Sequence, residues 1–187
     1  LSFAGRVVDA IVAAIAGRGL DCPFYISQND GTLMTAEFAR NFPALTFASG
    51  PTNSLRGACK LTGVSDAIVV DIGGTTSDVG VLQNGFPRES NTVIEVGGVR
   101  TNFRMPDILA LGLGGGSEVS DSGHRVGPQS VGHRLMQEGL VFGGDTLTAT
   151  DIVVAAGLAD VGTPAAVSQI DKAVVSTARA TMRDMLL

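Results

Sequence analysis

Apolar residues recur at helical spacing in some parts of the chain and in short β-branched runs in others. Phe3, Val7 and Ile11 share one helical face, which predicts a helix from Ser2 to about Gly17. Thr148 with Asp151, and later Ser168 with Asp171, have the spacing of a capping box and predict two further helix starts. We predict helices near 36–41, 53–60 and 148–156 and after Asp171, strands at 23–27, 44–48, 68–72, 78–82, 92–96 and 107–113, and a small hairpin within 116–127.

This mixture of helices and strands predicts an α/β fold in a single domain covering residues 1–187. Hydrophobic residues make up 44% of the chain and aromatic residues only 5%. The core must therefore consist of Val, Ile, Leu and Ala, which suits a sheet covered by helices better than an aromatic-rich β sandwich.

Charge and composition exclude several classes of function. The net charge is −5 and the basic residues are scattered singly, so we expect no nucleic-acid binding. The longest apolar run near the start, IVAAIA, is too short to span a membrane. Cys22 and Cys59 have no metal-ligand or disulfide spacing and predict reduced thiols in a cytoplasmic protein. His124 and His133 have no matching ligand residues, and we expect them to face solvent.

The segment 68–82, IVVDIGGTTSDVGVL, carries the clearest chemical signal. A β-branched strand, which we expect to be buried, ends near Asp71, two glycines and three hydroxyl residues follow, and a second strand begins near Asp78. Phosphate groups need backbone N–H donors at close range without an intervening Cβ, and carboxylates hold Mg²⁺ or its waters. The segment therefore predicts a hairpin that grips phosphates, unlike a P-loop, which opens a helix and carries a lysine.

A purely structural hairpin, in which Gly73 and Gly74 serve only the turn, is the alternative. This alternative must explain how the carboxylate of Asp71 is stabilised, because a buried carboxylate without partners costs several kcal/mol. Capping of the carboxylate by N–H groups of the turn would account for it. A second glycine cluster, Gly114 to Gly116, predicts a turn that another group approaches closely, either a nucleotide or a neighbouring part of the chain.

The segment DIGGTTSDVGV resembles the Asp-x-Gly-Gly-Thr-x-x-Asp motif of the hydantoinase/oxoprolinase family, within the actin-like ATPase superfamily. Sugar kinases carry a similar motif, but further segments of this chain resemble the same family in the same order. They run from about residue 24 to 157: SQNDGTL, ASGPTNSLRGA, LGLGGGSEV, VGPQSVG and TLTATDI.

The chain also departs from the family pattern at several positions. Asp30 stands where a glycine is usual, Thr52 and Asn53 replace small residues, and Gln129 replaces a glutamate. After VGPQSVG the family's Pro-Gly-Pro-x-Cys-Tyr stretch is replaced by HRLMQEGLVFGG, so no role of that cysteine carries over. These departures indicate a divergent branch, and the identity of the substrate does not follow from the resemblance.

The resemblance implies a ribonuclease H-like/actin-like ATPase fold, with a mixed sheet and flanking helices. It implies ATP with Mg²⁺ or another divalent cation as cofactors. By analogy, Asp71 and Asp78 are the catalytic and metal-binding residues. The nucleotide would contact the hairpin tip and the second glycine cluster: Gly73, Gly74, Thr75, Thr76, Gly114, Gly115 and Gly116.

The resemblance further implies part of an ATP-dependent hydrolase subunit that phosphorylates a cyclic amide, such as a hydantoin, 5-oxoproline or related lactam, for ring opening. Family subunits are larger than this chain, so we expect an N-terminal partner domain and a C-terminal remainder. The resemblance also implies a companion hydantoinase B-type subunit. Without the N-terminal half of the nucleotide cleft, we expect the isolated chain to be inactive, and exposed apolar surface could support a homodimer. The alternatives are a non-catalytic, structural or partner-binding domain and a sugar-kinase-like phosphotransferase.

Overall fold

The computed structural model describes residues 2–90, 95–96, 99–100 and 105–186 and has a mixed α/β architecture, as predicted. The helices are α1 (Ser2–Gly17), α2 (Ala36–Asn41), α3 (Ser49–Thr62), α4 (Leu135–Glu138), α5 (Ala149–Ala155) and α6 (Lys172–Leu186). The strands are β1 (Tyr25–Ser27), β2 (Leu33–Thr35), β3 (Ala67–Ile72), β4 (Ser77–Gln83), β5 (Phe86–Pro87), β6 (Glu95–Val96), β7 (Val99–Arg100), β8 (Ile108–Leu111), β9 (Ser117–Ser120) and β10 (Arg125–Ser130).

The strands form small sheets. The four-stranded sheet has the order β3–β4–β5, with β8 also paired to β4. Strands β1 and β2, β6 and β7, and β9 and β10 form antiparallel pairs. Asn84 and Gly85 both have positive φ at the tight turn between β4 and β5, which confirms the hairpin signal of this dipeptide.

The chain divides into two compact units. The first consists of Leu1–Val69 and Val79–Leu109, and the second of Val70–Asp78 and Ala110–Leu187. The assignment of residues 1–187 to a single domain stays a prediction.

The core of the first unit forms where α1 packs on α2. Val8, Met34 and Ala39 are buried there, and Ile26 packs against them. Elsewhere in this unit the fully buried Leu55 of α3 fills the space beside Gly80, where an added Cβ would lie 2.6 Å from its methyl carbon. No side chain larger than hydrogen therefore fits at position 80 without displacing Leu55.

The core of the second unit forms between α5, α6 and the β9–β10 hairpin. Its buried residues are Leu113, Val119, Val126, Ala149, Ile152, Val175 and Ala178. Thr148 and Asp151 form the predicted capping box at the start of α5. The Asp151 carboxylate is fully buried and also accepts hydrogen bonds from the backbone N–H groups of Leu140 and Val141, at 3.3 and 2.7 Å.

Three sequence predictions about this fold are wrong. Residues 44–48 do not form a strand, because Pro43 starts a 3₁₀ turn over Pro43–Thr46. Ser168 does not cap α6: its hydroxyl donates to the carbonyl of Ala165, and Asp171 accepts from the N–H of Ala173 instead. Strand β3 is not buried, since Ile68 and Ile72 are 72% and 67% exposed.

Other predictions are confirmed with shifted ends. Helix α3 begins at Ser49, before the predicted residue 53, and its N-cap residue Ala48 has a left-handed conformation with φ 59°. The strand predicted at 92–96 is described only at Glu95–Val96, and residues 92–94 lie outside the described residues. In the described part of the chain, no helix is long and apolar enough to cross a membrane.

Candidate functional site

The predicted phosphate-gripping segment forms a hairpin whose tip is Gly73–Thr76, between the end of β3 and the start of β4. The N–H of Gly73 donates to the carbonyl of Thr76 at 2.8 Å and closes the turn. All four tip residues are exposed. A Cβ added to Gly74 would meet no atom within 4 Å, so the space above this residue is open to a ligand.

The two faces of this hairpin differ in chemistry. Side chains alternate along a strand, so Asp71 and Asp78 project to one face and Ile72 and Ser77 to the other. The Ser77 hydroxyl is buried and donates to the carbonyl of Leu113 at 2.6 Å. The hairpin therefore has one acidic face and an opposite face on which Ser77 is buried and Ile72 is exposed.

The acidic face brings two like charges together. The pKa of Asp78 is raised from its ordinary value of 3.8, first because partial burial removes water from the carboxylate and second because the charge of Asp71 repels it. A divalent cation between the two carboxylates would oppose both effects. Mg²⁺ in nucleotide sites is usually held by one or two carboxylates together with phosphate oxygens and waters, and this pair fits that requirement.

The hairpin tip offers unused hydrogen-bond donors. Within the described chain, no acceptor is bound by the backbone N–H groups of Gly74, Thr75 and Thr76, nor by the two threonine hydroxyls. Consecutive free N–H groups form a concave binding site for anions. The tip can therefore donate several hydrogen bonds to a phosphate while the carboxylates hold its counter-ion.

The second glycine cluster supports the hairpin through its backbone. The N–H of Gly115 donates to the carbonyl of Gly73 at 3.0 Å, and the N–H of Gly116 donates to that of Gly74 at 2.7 Å. A Cβ on Gly114 would lie 2.6 Å from the nitrogen of Thr75. The group that approaches these glycines closely is thus the hairpin itself, and a nucleotide contact at Gly114 to Gly116 stays a prediction.

Sequence reasoning missed the hydroxyl groups that brace the two turns. The Thr150 hydroxyl donates to the carbonyl of Gly115 at 2.8 Å, and the Ser117 hydroxyl accepts from the N–H of Gly114 at 2.9 Å. The Ser130 hydroxyl accepts from the N–H of Gly132 and lies 3.4 Å from the carbonyl of Gly74. Of these hydroxyl residues, only Ser117 lies next to the glycines in sequence, where a serine can cap the backbone N–H groups of a turn.

The two histidines take no part in this site. His124 and His133 are both exposed, as predicted. Across the residues that the structure describes, no three His, Cys, Asp or Glu side chains lie close enough to hold a metal ion by themselves. A cation at Asp71 and Asp78 would need phosphate oxygens or waters to complete its coordination.

Comparison with known proteins identifies the family. A model described as "Hydantoinase/oxoprolinase" matches residues 2–184. The chain belongs to this family. This confirms the resemblance that the hairpin motif and the five further sequence segments, which occur in the family's order, indicate.

Two proteins named for their activities are similar to most of this chain. The caprolactamase alpha subunit of Pseudomonas jessenii is 31% identical over 166 residues, covering 83% of this chain and 23% of that protein. The acetophenone carboxylase gamma subunit of Aromatoleum aromaticum is 28% identical over 150 residues, covering 76% of this chain and 20% of that protein. This chain thus spans less than a quarter of the length of these two relatives.

Two solved structures share the fold of this chain. A nucleotide-free acetone carboxylase, from a study of ATP-dependent acetone carboxylation, superposes with a TM-score of 0.69 and 21% identity, covering 97% of this chain and 29% of that chain. The ATP-dependent caprolactamase of Pseudomonas jessenii gives a TM-score of 0.60 and 22% identity, covering 97% of this chain and 30% of that chain. The described architecture is therefore that of one region of these larger proteins.

Proposed function

We propose that this chain is part of an ATP-dependent hydrolase subunit that activates the carbonyl of a cyclic amide for ring opening. The observation that carries the proposal is the hairpin at Gly73–Thr76, with two neighbouring carboxylates on one face and unused donors at its tip. Membership of the hydantoinase/oxoprolinase family and similarity to a caprolactamase subunit support this choice of reaction. A hydantoin, 5-oxoproline or related lactam is the proposed class of substrate.

In this proposal Asp71 and Asp78 hold the divalent cation. The backbone N–H groups of Gly74, Thr75 and Thr76 and the two threonine hydroxyls hold the phosphates, and Gly73, whose own N–H closes the turn, leaves room for their close approach. Bound ATP supplies a phosphoryl group for the carbonyl oxygen, which overcomes the poor reactivity of a resonance-stabilised amide. The residues of this chain position the phosphates and neutralise their charge, which is the main protein contribution to phosphoryl transfer. Gly114 to Gly116 keep the hairpin in place.

We further propose that the chain has the ribonuclease H-like/actin-like ATPase fold and works as one side of a nucleotide cleft. The similarity of 97% of the chain to part of two larger proteins, described as ATP-dependent, supports this arrangement. The other side of the cleft would come from an N-terminal region of the same subunit, and a companion hydantoinase B-type subunit would take part in the reaction. The isolated chain is then expected to turn over ATP poorly.

A related reaction is carboxylation of a ketone, and similarity to the acetophenone carboxylase gamma subunit favours it as a second candidate. It would use the same chemistry of a phosphate-activated carbonyl oxygen. The contrasting hypothesis is a structural or partner-binding domain within a hetero-oligomer. It predicts no role for the two carboxylates in binding nucleotide.

Thermal unfolding with nucleotide tests the proposal. At about 100 times its dissociation constant, Mg·ADP should stabilise the folded chain by about 2.7 kcal/mol, which raises the melting temperature by roughly 5–10 °C for a domain of this size. The shift should require Mg²⁺ and disappear in Asp71→Asn and Asp78→Asn. Asp145→Asn, an exposed acid in the same unit, is the matched control and should keep the shift.

A shift that is independent of Mg²⁺, or that survives in both variants, would contradict the proposed site. Turnover by the full-length subunit distinguishes the reactions, with hydantoin, 5-oxoproline, caprolactam, acetophenone and glucose as substrates. ATP consumption that depends on glucose would instead support a sugar-kinase-like phosphotransferase. Failure of the full-length subunit to bind nucleotide would favour the structural domain.

A further inference from the structure

A cavity of about 460 Å³ lies within the second unit, on the side of the hairpin that carries Ile72 and Ser77. Helices α5 and α6 form much of its wall through Val153, Met182 and Leu186, and Leu158 lies along it. Because Asp71 and Asp78 project from the opposite face of the hairpin, the cavity does not include the two carboxylates, although Gly114 and Gly115 lie in its wall. Its volume is large enough for a ring or a short alkyl chain.

The wall of the cavity is almost entirely apolar. Its two hydroxyl groups, on Ser77 and Thr150, already donate to the carbonyls of Leu113 and Gly115 at 2.6 and 2.8 Å. A polar molecule placed there would lose hydrogen bonds to water and find few replacements. The body of a suitable ligand is therefore apolar.

Arg179 is the one charged residue in the described lining of this cavity. Its side chain projects from α6, is exposed, and makes no ion pair or hydrogen bond within the described part of the chain. Arg183, one turn later on the same helix, is paired with Asp184 at 2.8 Å. The Arg179 guanidinium is therefore available to an anionic group on a molecule whose apolar part fills the cavity.

We propose that this cavity binds a small monocarboxylate with an apolar body, such as an aryl or short alkyl carboxylate, with its carboxylate on Arg179. A planar guanidinium binds a carboxylate through two parallel hydrogen bonds, so one arginine is sufficient. A phosphate dianion would need further donors, and the wall provides none. This site goes beyond the proposed function, which uses neither the cavity nor Arg179.

Titration of the chain with two matched pairs of probes tests this inference. Hexanoate and benzoate carry the charge, and hexanol and benzyl alcohol provide the same apolar bodies without it. Methyl NMR signals of Met182 and Leu113 report on the cavity wall. The carboxylates should shift these signals saturably and bind about tenfold more tightly than the alcohols, which is the typical value of a partly exposed charge-assisted hydrogen bond.

Three variants separate the role of Arg179 from a general effect of charge. Arg179→Gln should remove the difference between carboxylate and alcohol, whereas Arg183→Gln should keep it. Leu158→Glu, at a position that is 63% exposed, should weaken carboxylate binding about tenfold or more by placing a like charge beside the ligand. Equal binding of alcohols and carboxylates to the unaltered chain would overturn the proposal, and so would the absence of saturable shifts or an unchanged preference in Arg179→Gln.

Discussion

Replacement of Gly114 by alanine tests whether the glycine cluster supports the hairpin. The new Cβ would lie 2.6 Å from the nitrogen of Thr75 and 2.7 Å from the carbonyl oxygen of Gly73. Both neighbours are backbone atoms, so no side-chain rotation can relieve the contact. The two turns must therefore separate.

The expected cost follows from this geometry. The shortest contact is about 0.8 Å closer than the 3.4 Å at which ordinary van der Waals contact begins. Overpacking of this kind costs about 1–3 kcal/mol. Separation of the turns also weakens the bonds from Gly115 to Gly73 and from Gly116 to Gly74, each of which contributes about 0.5–1.5 kcal/mol. We expect a loss of about 3 kcal/mol, which lowers the melting temperature by about 6–12 °C in a chain of this size.

Thermal unfolding of Gly114→Ala should be compared with that of Gly74→Ala. An alanine at position 74 meets no atom within 4 Å. The free energy of unfolding of Gly74→Ala should therefore stay within about 1 kcal/mol of that of the unaltered chain. If position 74 lies against phosphates as proposed, Gly74→Ala should instead weaken the response to Mg·ADP. Equal melting temperatures for the two variants would refute the reasoning, because the backbone contact would then have no structural cost.

Three further variants test acidic residues in the second unit. Folding raises the pKa of Asp78, so the stability of the unaltered chain should fall as the pH rises from 3.8 through the folded-state pKa. Asp78→Asn removes this charge, so its melting temperature at pH 7 should be higher than that of the unaltered chain. The difference should vanish below pH 3.8. An equal or lower melting temperature at pH 7 would contradict this reasoning. Asp151→Ala should lose about 3–5 kcal/mol in urea unfolding, because several buried donors lose their acceptor, whereas the exposed cap variant Asp171→Ala should lose about 1 kcal/mol.

Helices and turns that depend on residues close together in sequence could be predicted. Helix α1 follows from its apolar spacing, the start of α5 from Thr148 and Asp151, and the β4–β5 turn from Asn84 and Gly85. The β-type composition of residues 44–48 predicts a strand wrongly, because Pro43 at the first position starts a 3₁₀ turn. At this position the fixed backbone angle of the proline determines the local structure, and the apolar run after it does not.

Contacts between distant segments could not be predicted in the same way. The sequence indicated that Gly114 to Gly116 need a close neighbour, but not that the neighbour is the turn at Gly73 and Gly74. The burial of β3 was predicted wrongly because apolar composition does not reveal whether another layer covers a strand. The cavity beside Arg179 likewise depends on how α5 and α6 pack, which no local pattern determines.

The support of the hairpin by backbone atoms has a consequence for how this region can diverge among relatives. The bonds from Gly115 and Gly116 end on carbonyl oxygens, which every amino acid provides, and not on the side chains of Thr75 or Thr76. Replacing those side chains changes the groups presented at the tip without removing an anchor. The hydrogen-bonding groups that the tip presents can therefore change through ordinary substitutions, while the glycines that hold the tip remain constrained.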